Sequence, residues 1–235
     1  MRVVAGVNVS SETFSAVKQL GLLYQLDEVV LVHGANVDTA QEHDQVSQAL
    51  TESGRWAVEQ CRALLPSDTG AVRAVCEVQD PASLILDTAA KANADLVVMG
   101  TRNLSQLAEM FIGSVSNRVL KHAAVPTLIV KGTARPVTRV LMAIQESYDA
   151  TRLQTWLKAH PFKNPVSLTI LSAIPSPLVT SEHAMVVPES PEDRKRQVQQ
   201  LLDETGKALT GRQFTVSTSV AVGDPAQTIC EAGKN

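Results

Sequence analysis

Apolar positions in the first half of the chain fall into short β-branched blocks separated by longer amphipathic ones. RVVAGV at residues 2–7, EVVLVH at 28–33, DLVVM at 95–99 and TLIVK at 127–131 are near-continuous apolar runs, as expected of strands buried on both faces. AVRAVCEV at 71–78 alternates instead and supplies a third strand between them. The blocks at 12–25, 45–65 and 81–92, and the end of 100–123, carry apolar residues at helical spacing. Local punctuation agrees with these bounds. NVSSET offers cap residues before the first helix, Pro66 stops the second, and Asp80-Pro81 opens the third with proline in the first turn, where its missing N–H costs nothing. Apolar strands alternating with helices predict an α/β fold, an open parallel sheet with helices on both faces. The right-handed crossover rule leaves few topologies for it.

Residues 132–138 (GTARPVT) read as a linker, and beyond them the pattern restarts. RVLMAI at 139–144 repeats the first strand, 147–160 the first helix and 166–174 the second strand. A proline-rich loop at 175–191, a charged helix at 192–210 and a strand at 214–222 follow. The clearest internal match sets VQDPASLILDTAAK (78–91) against VGDPAQTICEAGKN (222–235), at the same point of each half. A repeat of this period makes the expected organisation two modules in tandem. Residues 1–133 form a complete domain. Residues 137–235 form a second that ends before the counterpart of residues 92–131 and so lacks its C-terminal loop, helix and strand; a natural loss and a truncated chain both fit that end.

Composition narrows the function. The 235 residues are 44% hydrophobic and 19% charged, enough for a sizeable core, but only 3% aromatic, so the core is aliphatic. The few aromatic rings and a net charge of −3 argue against nucleic-acid binding, which needs stacking platforms or a basic stripe. Cys61, Cys76 and Cys230 are widely spaced, with no CxxC or Cys/His cluster, which points to reduced thiols and not to zinc or a disulfide framework. The N-terminus reads as a strand and not a signal peptide, and no apolar run approaches a membrane span, so a cytoplasmic protein is expected.

The chemistry is concentrated in residues 94–131. Gly100 ends a buried strand, and Gly113-Ser114 precedes SNRVLKHA, which has helical period. Ligands of open α/β sheets bind beyond the carboxyl ends of the strands. A glycine there lets backbone approach a ligand, and helix-start amides beside serine hydroxyls suit phosphate oxygens. Arg102 would add charge-assisted contacts. The competing reading is structural: glycines after strands also make turns, and serines before helices also cap them.

Gly100 with Gly113-Ser114, and the flanking VVMGTR, GSVSNRVLKHA and VPTLIV, resemble the C-terminal motif of the universal stress protein family. The resemblance covers the first half and the second as far as it runs. It implies a Rossmann-like fold of the adenine nucleotide alpha hydrolase-like type, in which the motif wraps the phosphates of ATP. By that resemblance Gly100, Gly113, Ser114 and Ser116 line the phosphate and ribose region, Gly34 lies near the adenine, and Asn8 meets the ribose. The sequence departs from the family at two points. Asn103 stands where the motif has its middle glycine, and Asn8-Val9-Ser10 stands where an Asp-Gly-Ser is expected, so Asn8 brings hydrogen bonds without charge. The second half has Gln145-Glu146-Ser147 there and no loop motif, so any nucleotide belongs to the first domain; the sequence does not name a metal ion.

His33 reads as a satisfied structural histidine and His122 as a residue near a helix C-terminus. Trp56 and Trp156 read as core or interface packing, Met99 and Met110 as packing, and residues 192–196 as one solvated helix face. The expected function is a non-catalytic stress-response regulator that binds ATP or another adenine nucleotide in its first domain. The alternatives are an interaction module that binds no nucleotide and a slow ATP hydrolase. Strand 127–131 is expected to offer its edge to a second copy, giving a homo-oligomer.

Overall fold

The structure is a computed structural model that describes residues 1–35, 44–101, 112–175 and 190–234. It divides into two compact units, Met1–Pro136 and Val137–Asn235.

The first unit is a five-stranded parallel sheet. Its strands are β1 (Arg2–Gly6), β2 (Glu28–Gly34), β3 (Ala71–Glu77), β4 (Leu96–Thr101) and β5 (Thr127–Lys131), in the order β3-β2-β1-β4-β5. The helices are α1 (Ser11–Leu23), α2 (Asp44–Leu64), α3 (Pro81–Lys91) and α4 (Ser114–His122). α1 packs with α2, and α3 with α4, so the sheet is covered on both faces. Each element falls within about two residues of its sequence-based bounds, the usual uncertainty of helix and strand ends.

The apolar runs explain the central strands. Val3 and Val4 of β1, Val29 and Val32 of β2 and Val97 of β4 are all but inaccessible to water. Burying each such side chain contributes about 1.5–3 kcal/mol. Val4, Val30, Val32 and Val97 meet Ala82, Ile85 and Ala89 of α3 and Val119 of α4 in one cluster. The edge strand β3 is less buried, as its alternating sequence implied. Trp56 is not a core residue, which leaves the interface half of its expectation: it is 53% exposed on α2, with its ring edge-on to Phe14 at 6.0 Å. Met110 lies outside the described residues.

The second unit holds β6 (Arg139–Ala143), β7 (Val166–Ile174) and β8 (Phe214–Val222) in the parallel order β6-β7-β8. Its helices are α5 (Ser147–Ala159), α6 (Pro191–Leu209) and α7 (Pro225–Ala232). Leu168, Ile170 and Leu202 are fully buried, and Phe162 meets Phe214 edge-on at 6.3 Å. Gly206 lets α6 lie close on Val216 and Thr218, so one face of this sheet is helix-covered in the same manner.

The Asp-Pro pairs have a structural meaning in both units. Asp80 accepts a hydrogen bond from the Ser83 N–H at 2.9 Å, and Asp224 accepts one from the Gln227 N–H at 2.9 Å. Each carboxylate thereby satisfies a donor that the first helical turn leaves unpaired, and the proline after it fixes the entry angle. Asp80→Ala is expected to lower the unfolding free energy by about 1 kcal/mol, and Asp80→Asn by much less, as read by urea denaturation.

Candidate functional site

Strand order reverses between β1, which leads to β2 on one side, and β4, which lies on the other. The connections from the two strands leave on opposite faces, so a crevice opens beyond their carboxyl ends. A cleft of about 410 Å³ lies there. Its walls come from the loop after β1 (Asn8, Ser10), the ends of β2 and β4 (Gly34, Gly100), the start of α3 (Pro81, Ile85) and the start of α4 (Gly113 to Ser116). Six of the seven residues singled out from the sequence, Asn8, Gly34, Gly100, Gly113, Ser114 and Ser116, therefore border one cavity. Arg102 lies outside the described residues, as does Asn103.

The three glycines have different physical reasons. A Cβ on Gly100 would stand 2.5 Å from the Glu12 carbonyl oxygen and 2.9 Å from the Thr13 nitrogen, so glycine lets β4 pass under the start of α1. A Cβ on Gly34 would stand 2.7 Å from Pro81 Cα, so glycine lets the end of β2 meet the start of α3. Both are packing requirements that hold without a ligand. Gly113 has no such requirement: its φ of −57° suits any residue, and a Cβ there would meet nothing within 4 Å among the described residues.

Polar groups divide likewise. The Ser116 hydroxyl, buried, donates to the Gly100 carbonyl at 3.2 Å and ties α4 to β4. The Asn8 Oδ1 accepts from the Ser10 N–H at 2.9 Å and from the Thr13 hydroxyl at 2.8 Å, which organises the turn into α1. Those two donors fix the orientation of the amide and leave Nδ2 as the group Asn8 can offer a ligand. α4 is capped by Gly113 with no side-chain acceptor and has no acidic residue in its first turn; its first helical hydrogen bond runs from the Asn117 N–H to the Gly113 carbonyl at 2.8 Å. The N–H groups of residues 114–116 precede that bond and have no partner within the helix. Such a helix start is suited to an anion. Arg118 on α4 donates from Nη1 to Asp80 Oδ1 at 2.7 Å. The Ser83 N–H and Arg118 together hold the Asp80 carboxyl below its ordinary value of 3.8.

Among the described residues, no lining side chain of the cleft carries a charge, and no group of three or more His, Cys, Asp and Glu stands ready for a metal. His33 is structural, as expected: its Nδ1–H donates to the Val7 carbonyl at 2.9 Å and its ring packs on Gly54 of α2. Met99 packs in the core and also borders the cleft. Sequence reasoning passed over Pro81 and Thr13. The Asp-Pro repeat marks the first; nothing in the sequence marks the second, whose role depends on where Asn8 points.

An open parallel sheet with an uncharged cleft at its switch point defines a doubly wound α/β protein. The model of the universal stress protein family matches residues 1–131, more than half of the chain, and the chain belongs to that family. A universal stress protein of Methanocaldococcus jannaschii is 35% identical over 88 residues, which are 37% of this chain and 51% of the relative. One of Synechocystis is 47% identical over 55 residues, which are 23% of this chain and 36% of the relative. The chain thus spans about half the length, or less, of these two relatives. The crystal structure of a universal stress protein from Archaeoglobus fulgidus shares the fold over 99% of this chain and 82% of its own, with a TM-score of 0.61 and 18% identity. No helix among the described residues is long and apolar enough to cross a membrane.

The glycines separate experimentally. Gly100→Ala is expected to destabilise the protein by about 1–3 kcal/mol through overpacking. Gly113→Ser is expected to leave stability within a few tenths of a kcal/mol or to raise it slightly, because serine caps a helix at least as well as glycine. Urea denaturation without ligand measures both.

Proposed function

We propose that this chain is a non-catalytic stress-response regulator of the cytoplasm whose first unit takes an adenine nucleotide, ATP among them, in the cleft between β1 and β4. Gly113 carries this reading: a glycine that neither conformation nor packing of the described residues requires, at the uncapped start of a helix that borders the cavity. A bound phosphate would accept from the helix-start amides and fill the space beside Gly113. The ribose would meet Asn8 Nδ2, and Val32, Ile85 and Met99 supply apolar surface for a base on the Gly34 side. Ser114, exposed at the first position of α4, adds a hydroxyl beside the phosphate, and Arg102 belongs to the loop expected to wrap it. Among the described residues the lining is neutral and offers no carboxylate or imidazole to activate water, which favours binding over hydrolysis. It also argues against a protein-held divalent cation, which needs oxygen ligands of negative charge.

Residues 137–235 are on this reading a second copy of the module without a nucleotide site. Its parallel order β6-β7-β8 and the Asp224-Pro225 cap support the repeat.

Calorimetric titration with ATP, ADP and AMP tests the proposal. Heat of binding is expected for at least one of them, unchanged by EDTA and abolished by Gly113→Trp. An absence of heat and of any thermal shift at high nucleotide concentration would leave the interaction module as the function instead. Sustained phosphate release would revive the slow hydrolase.

A second reading concerns assembly. β5 is an edge strand of its sheet, and Leu128 and Ile129 on it are only half-buried. An edge of this kind recruits another strand. Sedimentation is expected to give a dimer of the chain, and a monomer at all concentrations would count against self-pairing through 127–131.

A further inference from the structure

The first turns of α3 and α4, which pack against each other, both border the cleft, with Pro81 and Ile85 from one and Gly113 to Ser116 from the other. Each wall is anchored to the sheet separately. α3 is fixed at the end of β2 by its close approach to Gly34, and α4 at the end of β4 by the bond from Ser116 to Gly100. Below them, Ala82, Ile85 and Val119 share the core cluster. At the surface, the polar link between the two helices is the Arg118–Asp80 ion pair.

We propose that this ion pair sets the separation of the cleft walls, and that Arg118 and Asp80 are positioning residues for the ligand without touching it. The Asp80 carboxylate divides its work: Oδ2 caps α3 through the Ser83 N–H, and Oδ1 receives Arg118. The second unit shows the same cap on its own. Asp224 makes the same cap with the Gln227 N–H, and no ion pair to it is present among the described residues. Capping therefore needs the aspartate but not the arginine. Stability alone is a poor explanation for the pair. Its side chains are 54% and 39% exposed, and ion pairs in contact with water add little to folding. Placement is a better one, because a helix start that presents amides to an anion must be held within a fraction of an ångström to act at full strength.

The binding arm of the test rests on the nucleotide reading; the exchange arm does not. Asp80→Asn, which keeps a capping acceptor and loses the charge, Arg118→Met and their double variant are compared with the unaltered full chain. Titration with ATP, ADP and AMP, thermal melting, and amide exchange at residues 114–117 without nucleotide are measured. Both single variants are expected to bind about fivefold to tenfold more weakly, with Tm within about 2 °C, and the double variant no more weakly than either. Exchange at 114–117 is expected to accelerate in both. Arg118→Lys, which keeps a cation within reach, is expected to restore binding to within about twofold of the unaltered chain. If Arg118→Met weakens binding while Asp80→Asn binds as well or better, the arginine contacts the ligand and the positioning role is overturned. Unchanged exchange in both single variants overturns it too. If the unaltered chain binds no nucleotide, the site reading falls, while faster exchange in the variants still upholds the pair as the device that holds the walls.

Discussion

Everything in the first unit depends on a parallel sheet that must be covered on both faces. Parallel strands need crossovers, crossovers are right-handed, and a strand order that reverses sends its helices to opposite sides. β1 and β4 are the strands at that reversal, and they are among the most buried elements of the chain. The cleft follows from the same fact. No helix can cross over the carboxyl ends of two strands whose connections part from each other, so the crevice there stays open whatever its lining. The lining then decides what the crevice can hold.

That lining is built from groups already employed by the fold. Gly34 and Gly100 are glycine because backbone passes too close for a side chain. Ser116 spends its proton on Gly100, and Asn8 spends its oxygen on the turn into α1. The cleft keeps the uncapped amides of α4, the Asn8 amide nitrogen and the open side of Gly113. A motif residue can thus border a site without being there for the ligand. The sequence resemblance treats its glycines alike, whereas the structure gives two of them packing reasons and leaves the third without one.

How much was legible before the structure follows the range of the interactions. β1, β2 and β4 announced themselves because burial on both faces forces an unbroken apolar run. α3 and α7 announced themselves because Asp-Pro caps and enters a helix using neighbours a few residues away. Gly100 and Gly113 could be placed from a strand end and a helix start, whereas Asn8 and Gly34 follow from the family resemblance. The partnerships could not. Arg118 and Asp80 are 38 positions apart, and nothing local distinguishes this arginine from the other cations of the helices. Trp56 shows a similar limit: a large aromatic on an amphipathic helix suits a core or an interface alike, and only the structure, in which more than half of it faces water, removes the core.

The two units answer one structural problem in two ways, and the difference separates what folding requires from what a site requires. After β1, the turn into α1 is organised by Asn8, a neutral side chain whose amide nitrogen remains available. After β6, the turn into α5 is closed by a reciprocal pair: Glu146 accepts from the helix backbone, and Asp149 accepts from the Gln145 and Glu146 N–H groups. Both arrangements start a helix, so stability does not choose between them. They differ in charge. Two carboxylates beyond the end of β6 would repel a phosphate, whereas an asparagine beyond β1 does not. Meanwhile an Asp-Pro start opens a later helix in both units and caps it in the same way, and in the first unit Asp80 also receives Arg118. The two units differ in charge at the strand ends, where a ligand would feel it, and agree in the Asp-Pro caps, where a helix has to start.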